Sequence, residues 1–179
     1  MGTYAIDPQT FSIGVLLLRV VIGLVMTGHG AQKLFGWFGG YGLRGTSQAL
    51  GQLGFQPAIA FAAAASISEI ASGLLVTFGF LGPIGPALMI SVMIVAAVTV
   101  HWGHGVFAAN NGIELPLMYA AAAFGLALTG YGEYSLDGRF GFAGRWSAPF
   151  TWVVLALGIA AGFVNLTLRR RPASNTVTA

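Results

Sequence analysis

Long apolar stretches alternate with short polar and glycine-rich segments along this chain. Five stretches come near or reach the roughly 17–25 residues that a helix needs to cross the hydrocarbon core of a bilayer, and each predicts a transmembrane helix. A proline lies at or next to the start of the middle three, where a helix tolerates it. The five stretches are residues 11–30, 58–80, 83–102, 115–130 and 150–168.

The composition also points to lipid as the solvent. Of 179 residues, 56% are hydrophobic and only 7% are charged, whereas ordinary soluble domains carry roughly 25% charged residues. This excludes a soluble enzyme, a disordered tail and a nucleic-acid binder. Arg169, Arg170 and Arg171 adjoin the last apolar stretch, where a basic cluster is a topology signal and not a DNA-binding surface. The expected fold is an all-α integral membrane protein.

The chain contains no cysteine. Disulfides, thiol redox catalysis, thiolate-bound iron–sulfur clusters and covalently attached haem are therefore excluded. Any redox role requires a bound cofactor or a partner protein. The 27 glycines indicate close packing between membrane helices, because small residues let two backbones approach each other.

The distribution of Lys and Arg predicts the orientation in the membrane. If the cluster at residues 169–171 is cytoplasmic, five crossings place Lys33 and Arg44 on the same side. Arg139 and Arg145 then lie outside. The N-terminus is therefore expected outside and the C-terminus in the cytoplasm. The first stretch lacks a basic n-region and an A-x-A-like site, so it is expected to be a retained helix.

Two charged residues fall inside predicted spans, where each suggests a functional site. Counting from the assumed outer ends of their helices, Arg19 lies about 12 Å deep and Glu69 about 17 Å deep. These similar depths predict a buried ion pair, with proton handling or ligand binding by Glu69 as the alternative. The positions that follow Arg19 on one helix face, which should contact another helix, are Gly23, Met26, Gly30 and Lys33.

A second polar group is expected near the cytoplasmic helix ends. His29 and His101 each lie eighteen residues into an inward-running span, and thus at the same level, about 27 Å down. With Lys33 and Glu114 they predict a pocket that hydrogen-bonds a quinone headgroup or relays a proton. The alternative is a set of solvated helix ends. A metal site at His101 and His104 is only weakly signalled, and none is predicted.

Two loop segments complete the pattern. Residues 33–45, KLFGWFGGYGLRG, alternate aromatic residues with glycines. This favours an interfacial re-entry, with the entrance for a lipid-like ligand as the alternative. Residues 131–139, YGEYSLDGR, predict a polar turn whose charged side chains face outward.

The sequence resembles the DoxX family of small bacterial membrane proteins over about residues 11–137. The resemblance rests on RVVIGLVMTGHGAQKLFGWFGGYGLRGT at 19–46, SEIASGLLVTFGFLGPIGPALMISVMIVA at 68–96, and VHWGHGVFAANNGIELPLMYAAAAFGLALTGYGEYSLD at 100–137. The resemblance implies a four-helix membrane core and a location in the bacterial inner membrane. The polar positions selected above by depth coincide with the family pattern: Arg19, His29, Lys33, Glu69, His101 and Glu114.

The expected organisation is a four-helix core at 1–137, an external loop at 138–149, an added transmembrane helix at 150–168 and a basic cytoplasmic tail at 169–179.

The resemblance implies association with membrane electron-transfer systems, because the family includes relatives of the DoxD-type subunit of a thiosulfate:quinone oxidoreductase. The expected function is that of a subunit or accessory protein of a quinone-linked oxidoreductase complex. The expected partners are the lipid bilayer, oxidoreductase subunits or further copies of the chain. No intrinsic cofactor is evident, and quinone is the candidate ligand. A non-catalytic anchor and a small transporter or channel are the alternatives.

Overall fold

The computed structural model describes residues 7–170, and every regular element within them is a helix. This confirms the all-α prediction. Arg171 and the rest of the predicted tail lie outside the described residues. The helices are α1 (Pro8–Phe35), α2 (Gly42–Gln52), α3 (Ala58–Phe78), α4 (Ile84–Ala96), α5 (Glu114–Thr129), α6 (Leu136–Arg139) and α7 (Ala148–Thr167).

Local sequence signals set the limits of α1. Asp7 caps its first turn, because the carboxylate accepts the backbone N–H of Thr10 at 2.8 Å and the next residue is the proline that favours a helix start. This hydrogen bond lowers the pKa of Asp7 below its usual value. At the other end, Gly36 adopts a left-handed conformation with φ of 76° and donates its N–H to the carbonyl of Gln32. Glycine adopts this helix-ending conformation without strain.

Four helices are long and apolar enough to cross a membrane: α1, α3, α7 and α4 with its continuation to His104. Helix α7 corresponds to the predicted span at 150–168. Helix α5 has 16 residues, and its length of about 24 Å falls short of a hydrocarbon core of about 30 Å. The predicted crossing at 115–130 is therefore not confirmed as a span.

Helices α1 and α3 pack antiparallel along the small-residue face predicted from the sequence. A Cβ atom added to Gly23 would lie 2.6 Å from the carbonyl oxygen of Gly73, and one added to Gly30 would lie 2.7 Å from that of Ser66. The backbones therefore touch where glycine allows it. These contacts fix the register, with Gly23 opposite residues 73–77 and Gly30 opposite residues 66–70.

Helices α4 and α7 pack in parallel, again through glycine. A Cβ atom on Gly158 would lie 2.5 Å from the carbonyl oxygen of Ala87, and one on Gly162 would lie 3.1 Å from that of Ser91. The contact residue numbers increase together along both helices, so both run in one direction. Helix α4 also packs against α3 and α5 and therefore lies at the centre of the bundle.

The helix directions define two ends of the bundle. The Asp7 end holds the starts of α1, α4 and α7, and the Phe35 end holds the ends of α1 and α4. Because α4 and α7 are parallel, the part of the chain that connects the end of α4 to the start of α7 must run from the Phe35 end back to the Asp7 end. Helix α5 makes this return despite its short length.

The interior is apolar, and so is much of the outer surface. Buried side chains from α1, α3, α4, α5 and α7 form one core, which includes Met26, Val76, Met89, Leu126 and Leu155. Large apolar side chains are also exposed along the outer faces of the long helices, for example Leu17, Val21, Leu24, Leu157 and Phe163. A continuous apolar exterior is what lipid contact requires.

Asp137 fastens the loops at the Asp7 end. Its carboxylate accepts the backbone N–H groups of Leu81 and Gly82 at 3.0 and 2.7 Å, and the indole N–H of Trp146 at 2.8 Å. It therefore joins the α3–α4 turn to the segment before α7. Asp137 is 2% exposed, so the predicted outward-facing polar turn is instead folded into the protein at this residue.

Replacing Gly158 by Ala is expected to destabilise the protein by about 1–3 kcal/mol, the usual cost of overpacking a well-packed site. The added methyl group would meet the backbone of Ala87, which cannot move aside as a flexible side chain does. Thermal unfolding in mild-detergent micelles measures the effect. The matched control is Gly28→Ala, because a Cβ atom there would have no neighbour within 4 Å. Equal stability of the two variants would contradict the close α4–α7 contact.

Candidate functional site at the Phe35 end

A buried ion pair connects α1 and α3 near the Phe35 end. Lys33 Nζ lies 2.7 Å from both carboxylate oxygens of Glu69. The side chain of Glu69 is 3% exposed and that of Lys33 is 37% exposed. The carboxylate is therefore enclosed, while its cationic partner reaches the surface. The pair is buried on its acidic side and open on its basic side.

The predicted pairing of Arg19 with Glu69 does not form. The α1–α3 register places Arg19 level with the end of α3, roughly ten residues or about 15 Å from Glu69. The prediction assumed that the outer ends of the two helices are level. In the structure, α3 ends near the level of Arg19, and α1 continues past it to Pro8. Glu69 is therefore level with the last turns of α1, within reach of Lys33.

Arg19 instead binds backbone carbonyl groups at the Asp7 end. Its guanidinium donates to the carbonyl oxygens of Thr77 and Tyr134, and the residue is 2% exposed. Thr77 lies in the last turn of α3, where carbonyl groups lack helical partners and the helix dipole favours a cation. Arg19 thus connects the end of α3 to the loop after α5.

His29 and Tyr119 lie beside the ion pair. The Nδ1 atom of His29 is 3.2 Å from Oε1 of Gln32, and the ring of His29 meets that of Tyr119 edge-on, with centroids 6.0 Å apart. Tyr119 belongs to α5 and is 8% exposed. The Phe35-end cluster, as we name this group, consists of His29, Gln32, Lys33, Glu69 and Tyr119.

Sequence reasoning did not select Tyr119. Helix α5 brings Tyr119 to the cluster. Because the apolar stretch at 115–130 is short, the depth of Tyr119 in the membrane could not be estimated from its position in the sequence. One signal was available, because Tyr119 is the single tyrosine within the five apolar stretches. A buried tyrosine hydroxyl usually requires a hydrogen-bond partner.

His101 and Glu114 make their hydrogen bonds within the α4–α5 connection. Helix α4 continues as a π-helical turn at Ala97–His101, and the Nδ1 atom of His101 lies 2.8 Å from the carbonyl oxygen of Asn111. Glu114 accepts the backbone N–H of Ala108 at 2.7 Å. Of the four residues predicted for the pocket, His29 and Lys33 therefore lie in the Phe35-end cluster. His101 and Glu114 instead stabilise the α4–α5 connection.

The side chain of His104 contacts the backbone of the turn that precedes it. The Nδ1 atom of His104 lies 3.0 Å from the carbonyl oxygen of Val100. Within residues 7–170, no group of three or more His, Asp or Glu side chains is arranged to hold a metal ion.

The aromatic segment after α1 folds back over the end of that helix. Gln32 donates to the carbonyl of Phe38 at 3.2 Å, and Thr46 of α2 donates to the carbonyl of Lys33 at 3.1 Å. These bonds hold the segment against the last turn of α1. Its aromatic side chains point outward, with Phe38 and Tyr41 76% and 89% exposed. This arrangement fits aromatic residues at a membrane surface.

Comparison with known proteins identifies relatives of this chain. The DoxX family model matches residues 14–102, which contain His29, Lys33 and Glu69. A curated protein of Bacillus subtilis (strain 168), named "Putative oxidoreductase CatD", is 34% identical over 137 residues. The aligned region covers 76% of this chain and 93% of that protein. No solved structure matches significantly.

Proposed function

This chain belongs to the DoxX family of multi-pass membrane proteins, and we propose that it is a subunit or accessory protein of a quinone-linked oxidoreductase complex. The name of the Bacillus subtilis relative supports a redox role. The absence of cysteine supports a subunit that obtains its electrons from a partner, since the chain carries no thiol for redox chemistry.

The Phe35-end cluster carries the proposal. Reduction of a quinone to a quinol adds two electrons and two protons, one proton to each ring oxygen. A site for this chemistry needs hydrogen-bond donors for an oxygen and groups that exchange protons near neutral pH. Lys33, His29 and Tyr119 are donors, and Glu69 is a buried carboxylate held by Lys33.

Each residue of the cluster has a distinct role in this proposal. The Nδ1–H of His29 donates to Gln32, which leaves Nε2 as the atom that exchanges a proton. Lys33 stabilises negative charge on a quinone oxygen as electrons arrive, in the manner of other fixed cations at reacting oxygens. Glu69 keeps Lys33 in position and accepts or releases a proton as that charge changes. Tyr119 of α5 orients the His29 ring.

Membership of the DoxX family and the bacterial relative support the bacterial inner membrane as the location. The basic residues support the cytoplasm as the compartment at the Phe35 end. Arg44, Arg169 and Arg170 lie at that end together with Lys33, whereas the Asp7 end holds Arg139 and Arg145. Cytoplasmic loops carry the excess of Lys and Arg in membrane proteins. In this orientation the cluster exchanges protons with the cytoplasm.

A binding experiment tests the proposal. The full-length protein in lipid nanodiscs is titrated with decylubiquinone, and the quenching of tryptophan fluorescence is measured. His29→Ala is expected to weaken binding about tenfold, the equivalent of one charge-assisted or well-placed hydrogen bond. The matched control is His104→Ala, an exposed histidine at the same end, which is expected to bind as the wild type does. Equal binding by all three proteins would contradict the site and favour the non-catalytic anchor.

A further inference from the structure

The Asp7 end contains an unsatisfied polar group that the proposed function does not use. Within residues 7–170, three buried side-chain atoms lack a hydrogen-bond partner: Arg19 Nε, Thr77 Oγ1 and Tyr131 OH. Arg19 approaches Gly79, where an added Cβ atom would lie 3.1 Å from its Nη1 atom. The hydroxyl of Thr77 instead faces Gly23, and that of Tyr131 lies near Gly85. Buried polar atoms are nearly always hydrogen-bonded. The Nε–H of Arg19 therefore needs a hydrogen-bond acceptor that the described residues do not supply.

Arg19 also forms no salt bridge with any of the described residues. Among the described residues, the one salt bridge is that of Lys33 with Glu69, at the opposite end. The buried carboxylate of Asp137, at the Asp7 end, is already occupied by the N–H groups of Leu81, Gly82 and Trp146. The guanidinium of Arg19 donates to two backbone carbonyl groups and to no carboxylate of the described residues. A buried charge usually has an oppositely charged partner.

A cavity of about 550 Å³ adjoins Arg19 and Thr77. We name it the Arg19 cavity. Its charged lining residues are Arg19, Glu133 and Arg139, so the lining carries a net charge of one positive unit. A ligand with a single negative charge matches this lining, and Arg is the residue that best recognises phosphate oxygens.

The other wall of the Arg19 cavity is apolar. It is formed by Leu16 and Val20 of α1 and by Phe78 at the end of α3. Phe78 is 55% exposed on the outer surface, where lipid is expected. The cavity therefore has a charged part next to an apolar part that faces the hydrocarbon region. A phospholipid would place its headgroup in the first and its first acyl carbons against the second.

We propose that the Arg19 cavity binds the phosphodiester group of an anionic phospholipid. Arg19 and Arg139 hold the phosphate oxygens, and the acyl chains lie over Leu16 and Phe78. The phosphodiester carries one negative charge, which free phosphate at neutral pH exceeds. This site lies at the end of the bundle opposite to the Phe35-end cluster and does not depend on quinone binding.

Native mass spectrometry of the full-length protein tests this site. Phosphatidylglycerol and phosphatidylcholine with identical acyl chains are titrated separately, and the retained adducts are counted. The wild type is expected to prefer phosphatidylglycerol by about tenfold. Arg139→Gln is expected to remove most of this preference. Arg145→Gln is the matched control, because Arg145 lies at the same end but stacks on the ring of Phe142 and does not line the cavity.

The outcomes separate a specific site from general attraction to charge. Equal retention of the two lipids by the wild type would overturn the proposal, and so would equal losses in Arg139→Gln and Arg145→Gln. A third arm adds inorganic phosphate as a competitor. Displacement of phosphatidylglycerol from the wild type, but no effect in Arg139→Gln, supports recognition of a phosphate group. Phosphate that binds in an Arg139-dependent way to a protein that retains no lipid would overturn the assignment to a phospholipid.

Discussion

Replacing Asp137 by Ala is expected to destabilise the protein by about 4 kcal/mol, because it leaves up to three N–H donors without their acceptor, each at a cost of about 1–3 kcal/mol. The donors are the backbone N–H groups of Leu81 and Gly82 and the indole of Trp146. The side chain is 2% exposed, so water cannot easily take its place. Thermal unfolding in mild-detergent micelles measures the loss.

A conservative variant separates the hydrogen bonds from the volume of the side chain. Asp137→Asn keeps the shape and one acceptor oxygen, but its amide nitrogen faces donors. We expect an intermediate loss of about 2 kcal/mol. Glu133→Gln is the control, because Glu133 lies in the same loop without the three contacts. If Asp137→Ala unfolds at the same temperature as Glu133→Gln, the carboxylate does not hold the Asp7 end together.

Replacing Lys33 by Met is expected to cost about 3 kcal/mol, the lower end of the range for breaking a buried pair. The lower end applies because Lys33 is 37% exposed and part of its charge is already solvated. The loss arises from the carboxylate of Glu69, which stays enclosed without its cation. The free energy of unfolding in detergent micelles is the measurement.

The double variant tests this explanation. In Lys33→Met with Glu69→Leu, both partners are apolar, and such replacements of buried pairs are often neutral or stabilising. We expect the double variant to recover most of the stability that Lys33→Met loses. An additive loss from the two substitutions would show that the two side chains do not interact in solution.

The sequence allowed the contacting faces of the helices to be predicted, but not their alignment along the bundle. The face that carries Arg19, Gly23 and Gly30 follows from helical periodicity, and it does contact α3. The partner of Glu69 depends on how far α1 slides along α3. This register is set by where glycines allow backbones to touch, and by a first helix that extends beyond its neighbour. Neither is visible in the apolar pattern alone.

The candidate site was predicted only in part for a related reason. His29 and Lys33 lie on one helix, so their proximity follows from spacing. Tyr119 arrives on α5, whose apolar stretch is short, and His101 is turned into the α4–α5 connection by a π-helical turn. Asp137 was assigned to a surface turn because nothing in YSLD reveals that the α3–α4 turn supplies two unpaired N–H groups.

The direction of α7 determines at which end of the bundle Arg169 and Arg170 lie. After α5 the chain is at the Asp7 end, and α7 carries it back alongside α4. There Arg169 donates to the carbonyl of Leu53 and the N–H of Arg170 to that of Gly54. A soluble partner recruited by these arginines would be delivered to the same compartment as Lys33. In this way α7 would place such a partner on the side of the membrane where Lys33 is exposed.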